Sequence, residues 1–512
     1  MILASLFLLS QSLVMLTASQ QLKVLQVGKT PNGFNGPAYG WSSFGMSVHS
    51  PTFEMNESSI IQQCDVLSST LGNNYPYCNL DAGWTGPTDN FGRIMYNKAL
   101  NLPDLANHLH SRGLFLGVYV VPGALKSDAK KTIYGTDVMI GQVCTGTEGL
   151  ARCVFNYSRP EVQQWHNSVV AQFASWYVLK MRSDSYIYTC LLAVFRGVDL
   201  IKLDYVTPGS PPPPGKQSKL PANQSEAVIA YHKAIENSGR QMRLDISWQL
   251  DLSEPSFAIW NQNADSMRVD SDIINYQGST LTTWKAIQRA IDNYRNWTIA
   301  ALDLPFALNI YADLSSLAVG NNEALAGVDA TQQQTIMTHG IASGSNLILD
   351  SDLTQLDGSL SQSLLLNASV LQLADFTARY PMQPRNPGTG GQDAKQLQAW
   401  IAGPSEDSRA VVVIANYGPD QGQGGFNTSL RGPQQVTVSW TDLGISGCWQ
   451  VRNAWTDEIE GRMDTSISVL LGEGESVLLD LTYVGLSSRV GTCGFAVRAG
   501  KFMSRFLFQT PG

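Results

Sequence analysis

A chain of 512 residues with 34 Lys+Arg against 42 Asp+Glu carries a formal net charge of −8, and a length beyond about 300 residues predicts two domains. Charged residues make up 15%, while Gly (45), Trp (12) and Tyr (18) abound, which excludes a disordered chain and, with no basic surplus, argues against a nucleic-acid partner. Few charges with many aromatics suit a secreted protein whose aromatic-lined pocket takes sugar rings.

The first residues, MILASLFLLSQSLVMLTASQ, hold an apolar run followed by small residues at Thr17, Ala18 and Ser19. Residues 1–19 therefore read as a cleaved secretory signal. The run is interrupted at Ser10, Gln11 and Ser12 and falls short of the roughly 20 apolar residues that span a bilayer, so no membrane partner is expected. N-x-S/T triplets at Asn56, Asn156, Asn223, Asn296, Asn367 and Asn427 fit a glycosylated secreted chain.

From about 37 to 353, short β-rich runs alternate with amphipathic stretches. The runs are AYGWSSF, YCNLDAGW, LFLGVYVVPG, VDLIKLDYV, MRLDISW, DSMRVDSD, PFALNIYADL and NLILDSDL. Eight strand–helix units predict a (β/α)8 barrel over residues 23–380, with near-continuous apolar strands buried on both faces. Most of the runs end in Asp, Trp, Ser or Tyr, and in this fold the carboxyl ends of the strands build the active site.

One stretch breaks the rhythm. Residues 177–196, YVLKMRSDSYIYTCLLAVFR, stand where a short connection is normal. Trp-Tyr-Val is encoded TGG-TAY-GTN, which contains a GTAYGT splice donor, and Phe-Arg can supply an acceptor AG. Excising these codons rejoins FASW to GVDLIK in frame, so the segment reads as a retained intron, with a genuine insertion as the alternative. It is expected to extrude from the barrel and leave the flanking helix and strand in place. Beyond the Pro/Gly-rich linker 381–392, the runs AVVVIANYG, QQVTVSWTDLG, CWQVRNAW and SVLLDLTYV predict an antiparallel β-sandwich over 392–483. The tail 484–512 is atypical.

Seven cysteines leave at least one without an intramolecular partner. Cys144 and Cys153 frame a short loop and read as a local disulfide. Cys64 with Cys78, and Cys448 with Cys493, are further candidate pairs, and Cys190 is the expected orphan. With no C-x-x-C, H-E-x-x-H or clustered His pattern, no metal and no other cofactor is expected.

Two carboxylates stand out. Asp204 closes the fourth predicted strand, with Lys202 two residues earlier on the same face. Asp272 closes the sixth, four residues after Arg268. Retaining hydrolysis of a glycoside needs two carboxyls about 5–5.5 Å apart, one a nucleophile and one an acid/base. Strand-end caps are the competing structural use of such residues.

In order along the chain, GWSSF, NLDAGW with DNFGR, LANHLHSRGLFLGVYVVPG, FASW–GVDLIKLDY, R-x3-DI and YADLSSLAVGN resemble glycoside hydrolase family 27, the α-galactosidase (melibiase) and α-N-acetylgalactosaminidase family. The likeness runs from about Gly40 to the end of the sandwich. It implies a secreted retaining exo-α-glycosidase acting on an oligo- or polysaccharide, with terminal α-D-galactosyl residues the first expectation. By this resemblance Asp204 is the nucleophile, Asp272 the acid/base, and Phe44, Asp81, Tyr119, Lys202, Ser247, Trp248, Arg268 and Asp313 line the sugar site. Lys202 is expected beside Asp204, keeping it ionised. Arg268 is expected to point at the sugar's 2-hydroxyl and leave Asp272 the less charge-compensated carboxyl. Trp41 is read as barrel packing.

Departures from the family pattern bear on the substrate. D-D-x-W reads Asp81-Ala82-Gly83-Trp84, so the second Asp, which holds galactose O4/O6, is missing. Phe44 replaces the usual Trp, Ser247 the Glu before Trp, and D-P-D reads Asp313-Leu314-Ser315. These losses leave α-glucosyl (isomaltosyl), α-N-acetylgalactosaminyl and β-L-arabinopyranosyl substrates as alternatives. A catalytically silent sugar-binding homologue is a further alternative, which the retained carboxylate pair argues against.

Overall fold

The predicted apolar runs become eight parallel strands in a computed structural model that describes residues 23–176, 197–212, 220–385, 395–426 and 429–485. They are β1 (Tyr39–Ser42), β2 (Tyr77–Leu80), β3 (Phe115–Val120), β4 (Val198–Leu203), β5 (Arg243–Ile246), β6 (Ser266–Arg268), β7 (Tyr311–Asp313) and β8 (Leu347–Leu349). They pair in the order β8-β1-β2-β3-β4-β5-β6-β7. The Asn346 amide donates to the Ala312 carbonyl across the β7–β8 seam at 3.2 Å, so the sheet closes on itself. Helices α1 (Glu57–Val66), α2 (Leu102–Ser111), α3 (Pro160–Ser175), α4 (Ser225–Ser238), α5 (Glu254–Asn263), α6 (Trp284–Asp303) and α7 (Ala330–Ala342) follow the first seven strands in turn. This is the (β/α)8 barrel read from the sequence.

Local chemistry explains the elements. In α2 the Asn101 side chain accepts from the Asp104 amide, and Leu102, Leu105, Ala106 and Leu109 bury one face at helical spacing. Gly113, at φ +78°, then turns the chain into β3, a conformation costly for any residue with a Cβ. In α7, Asp329 and Gln332 cap the helix reciprocally. β4 is buried along its length except for part of Lys202, as expected of a strand covered on both faces. Its residues are VDLIKL, so α3 and β4 stand as consecutive barrel elements. The expectations for the signal, for 177–196 with Cys190, for Cys493 and for the tail from 486 concern residues outside those described. Disulfides join Cys64 to Cys78 and Cys144 to Cys153.

The second domain has eight antiparallel strands: β9 (Gln383–Arg385), β10 (Leu397–Ala402), β11 (Arg409–Asn416), β12 (Gln434–Ser439), β13 (Cys448–Asn453), β14 (Glu458–Met463), β15 (Ser466–Leu471) and β16 (Glu475–Gly485). Six form a sheet in the order β9-β10-β11-β16-β13-β14, and β12 pairs with β15 beneath it. Val436, Val438, Ile467 and Val469 of the small sheet pack on Ile401, Val412, Ile414 and Leu479 of the large one. Four strands escape the sequence reading. β9 lies in the stretch read as linker, because Pro384 signals a break and yet is tolerated on an edge strand. β14 is the opposite edge, with no buried position to give it a pattern.

A hydrogen-bonded relay joins the domains. The Trp400 indole donates to the Tyr417 hydroxyl (2.7 Å), which donates to Nε2 of His339 (2.7 Å), whose Nδ1 donates to the Thr335 carbonyl (2.9 Å). Nδ1 faces a carbonyl and so carries the proton; Nε2 must accept. Burial lowers the pKa of His339 to about 4 and keeps the ring neutral. Tyr417→Phe strands two buried polar atoms, so it should cost about 1–3 kcal/mol in urea denaturation. A change below about 0.5 kcal/mol would show that the relay does not secure the joint.

Candidate active site

Strand period places the site. Side chains alternate along a strand, so residues two apart face the same way. Asn79, Lys202 and Ile348 line one cavity of about 30 Å³ inside the barrel, together with Asp245, Arg268 and Asp313. Asp81, which lines the same cavity, and Asp204 and Asp350 each follow one of the first three by two residues and so face the same way, toward the carboxyl-terminal mouth.

Lys202 donates to Asp81 Oδ2 at 2.7 Å, and its ammonium lies 5.4 Å from the Phe44 ring centroid and 5.6 Å from that of Tyr119, within cation–π range. Arg268, only 3% exposed, is fixed from both sides. Its Nη1 donates to Asp272 Oδ1 at 2.8 Å and its Nε to Asp313 Oδ2 at 3.1 Å. The second oxygen of Asp272 accepts from the Tyr276 hydroxyl at 2.7 Å. Asp204 Oδ1 accepts from the Ser247 hydroxyl at 2.6 Å and from the Tyr205 amide at 2.8 Å, and the Tyr119 phenol interacts with the same carboxyl. Trp248 meets Tyr205 edge to face at 5.6 Å. Trp41 is fully buried, its indole donating to the Ser351 carbonyl.

The charges divide sharply. Burial pushes the Asp204 carboxyl up, and the nearby charges of Asp272 and Asp81 add to it against Lys202 and Ser247. Burial also acts on Asp272, but Arg268, Lys202 and Tyr276 outweigh it and hold that carboxyl below its ordinary value. Burial and neighbouring Asp313 drive Asp245 well up. Backbone strain marks the same rim: Tyr205 (φ +57°), Gln249 (φ +49°) and Ser315 (φ +81°) each sit just past a strand end.

Two expectations are corrected. Arg268 binds Asp272 directly instead of pointing away, because a guanidinium four residues before the carboxyl and buried beside it finds no better acceptor. Asp272 is accordingly the more charge-compensated of the pair. Lys202 favours the charged form of Asp204 through space while its ammonium is ion-paired to Asp81. The structure brings Phe44, Asp81, Tyr119, Lys202, Ser247, Arg268 and Asp272 around Asp204 and places Asp313 behind Arg268.

Sequence reading missed Tyr276, four residues past Asp272, because an aromatic in DIINY carries no motif of its own. It also missed Asp350, although that residue ends a predicted strand. Asp350 is 4% exposed, and its Oδ1 has no hydrogen-bond partner among the described residues. Burial raises its pKa to about 8. Between about pH 4 and 8 the folded state holds a proton that the unfolded chain releases, so this residue destabilises the fold progressively across that window. Asp350→Asn should therefore raise the thermal midpoint more at pH 8 than at pH 5. Equal shifts at both values would refute the assignment.

Residues 394–481 match the alpha galactosidase C-terminal beta sandwich domain. The chain is 44% identical over 478 residues to alpha-galactosidase 3 of Hypocrea jecorina, covering 90% of this chain and 73% of that one. Among solved structures it resembles a family 27 β-L-arabinopyranosidase of Geobacillus stearothermophilus (TM-score 0.68, 18% identity, 90% and 98% of the two chains). It also resembles alpha-galactosidase I of Mortierella vinacea (TM-score 0.60, 16% identity, 89% and 98%).

Proposed function

The chain belongs to glycoside hydrolase family 27, the α-galactosidase family, and we propose that it removes terminal non-reducing α-D-galactosyl residues by double displacement. The observation that carries this reading is its 44% identity, over 90% of its length, to an α-galactosidase. The Asp204 and Asp272 carboxyls lie within electrostatic reach of one another, which supports the mechanism. The apolar leader and the disulfides among the described residues support secretion.

In the first step an Asp204 oxygen attacks C1 while the glycosidic C1–O bond breaks and the departing oxygen takes the proton of Asp272. A β-glycosyl ester of Asp204 remains. In the second, Asp272, now a carboxylate, accepts a proton from water as the water oxygen attacks C1 and Asp204 leaves. The α configuration is restored. Ser247 donates to the attacking carboxylate and favours its anionic form. Phe44, Asp81 and Lys202 offer the glycone an aromatic face, an acceptor and a donor, with Lys202 aligned by its ion pair to Asp81.

A second glycone is favoured by one observation. Ala82 stands where the family's second Asp would hold O4/O6, which suits a β-L-arabinopyranoside, the same ring without the C6 hydroxymethyl group. Aryl α-galactoside and aryl β-L-arabinopyranoside compared by kcat/KM decide between them.

Asp204→Ala should abolish turnover. Asp272→Ala should cost about 10²–10⁴-fold on natural α-galactosides and far less on a dinitrophenyl α-galactoside, whose leaving group needs no proton. Equal losses on both would remove Asp272 from the acid/base role. NMR of the first-formed sugar should show the α anomer; β-galactose appearing first would overturn retention.

A further inference from the structure

Both oxygens of Asp272 are already engaged in the free protein, which poses a problem for an acid/base. To donate a proton, one oxygen must carry that proton and face the glycosidic oxygen. Oδ1 is not available, because Arg268 holds it and is itself immobilised by burial and by Asp313. Oδ2 is held by Tyr276, a residue of opposite character. Tyr276 is 57% exposed, and its ring meets Phe44 edge to face at 6.2 Å. Phe44 in turn lies over Lys202, so Tyr276 stands at the rim directly above the sugar-site residues. Of the two donors on Asp272, only the tyrosine can move without breaking a buried ion pair.

We propose that Tyr276 is a positioning residue that occupies the leaving-group side of the site, clamps Asp272 as an anion in the free enzyme, and yields Oδ2 to the glycosidic oxygen when substrate binds. This rests on the reading of Asp272 as the acid/base. Proton loading is thereby tied to occupancy, because the carboxyl gains its proton from solvent only once the phenol has left. The incoming glycosidic oxygen has no hydrogen to donate to a carboxylate, so the pair is favourable only when Oδ2 is protonated. The protonated carboxyl then donates to that oxygen as the C1–O bond breaks, as in the first step above.

The groups that face Asp272 set the direction of the effect. Arg268 on β6 and Lys202 on β4 favour the anion, and Tyr276 adds a hydrogen bond to it. Asp204 at the end of β4 and Asp350 at the end of β8 oppose it. The Tyr205 phenol also lies within electrostatic reach. From α6, Arg289 binds the Asp272 backbone carbonyl at 2.7 Å while paired with Asp270. Removing the Tyr276 hydroxyl leaves every one of these in place and withdraws one stabiliser of the anion.

The test is the pH dependence of Tyr276→Phe on a natural α-galactoside. The kcat/KM profile reports the free enzyme and the kcat profile the enzyme–substrate complex. In the free enzyme Asp272 is the lower-pKa carboxyl of the pair and so sets the acid limb of kcat/KM, which should move up by about one pH unit. The alkaline limb of kcat, where Asp272 loses its proton in the complex, should stay where it is, since the phenol has already left. Tyr276→Ala, which also removes the ring, should shift the kcat/KM limb by the same amount, so a folding defect in one variant does not decide the matter. An unmoved kcat/KM limb in both variants, or both limbs moving together, overturns the proposal. The Asp272→Ala comparison on dinitrophenyl and natural galactosides is run beside it. Equal losses there defeat the acid/base reading itself, an outcome separate from an unmoved limb in the Tyr276 variants.

Discussion

Two buried cations, Lys202 and Arg268, face six carboxyls inside the barrel and at its mouth, and the behaviour of the site follows from that shortage of positive charge. Ion pairs connect the cations to Asp81, Asp272 and Asp313. The three acids left without an ion pair, Asp204, Asp245 and Asp350, are the three that burial pushes up. An unpaired buried carboxylate costs far more than a buried neutral acid, so the charged form is disfavoured where cations are lacking. The consequence reaches catalysis. The residue assigned as nucleophile rests with its charge disfavoured, while the residue assigned as acid rests ionised, so substrate binding has to reverse the resting order.

The scaffold makes this crowding feasible. Parallel strands in register bring acids from β2, β4, β5, β7 and β8 to neighbouring levels, although they are far apart in sequence. Lys202 lies level with Asp245 and Arg268 with Asp313 on neighbouring strands, and two-residue alternation carries Asp204 beyond Lys202 toward the mouth. The left-handed turns at Tyr205, Gln249 and Ser315 let the chain leave each strand without carrying the next side chain away from the mouth. Ser315 illustrates the gain, since its amide returns to bond Asp313 Oδ1 at 2.8 Å.

Much of this was legible in the sequence, for physical reasons. A strand covered on both faces has to be apolar throughout, so LFLGVYVV and VDLIKLDY declare themselves, and a polar residue at the end of such a run has few uses besides the mouth. Edge strands obey no such rule. QPR and EIEGRM have one side unpaired and little buried, so nothing in their composition separates them from loop. Within the site, sequence identifies which carboxyls are present but not which cation each obtains. Arg268 stands at a fixed separation from Asp272, yet whether it turns toward that acid or toward the sugar depends on Asp313, which is 45 residues from Arg268 in the chain and adjacent in space. Tyr276 was illegible for the complementary reason: it works by a single hydroxyl on an exposed ring, and exposed tyrosines are ordinary.

The relay from Trp400 through Tyr417 to His339 gives the molecule an acid limit of its own. A neutral ring accepts at Nε2; a protonated ring can only donate there, and would oppose the Tyr417 hydroxyl that points at it. Because burial lowers the histidine's folded pKa to about 4 while the unfolded chain takes up a proton near 6.5, acidification across that interval favours the unfolded chain. The strain falls on α7, the helix that feeds the last barrel strand and hence Asp350. His339, which never meets the sugar, thus adds acid sensitivity at the seam between the domains.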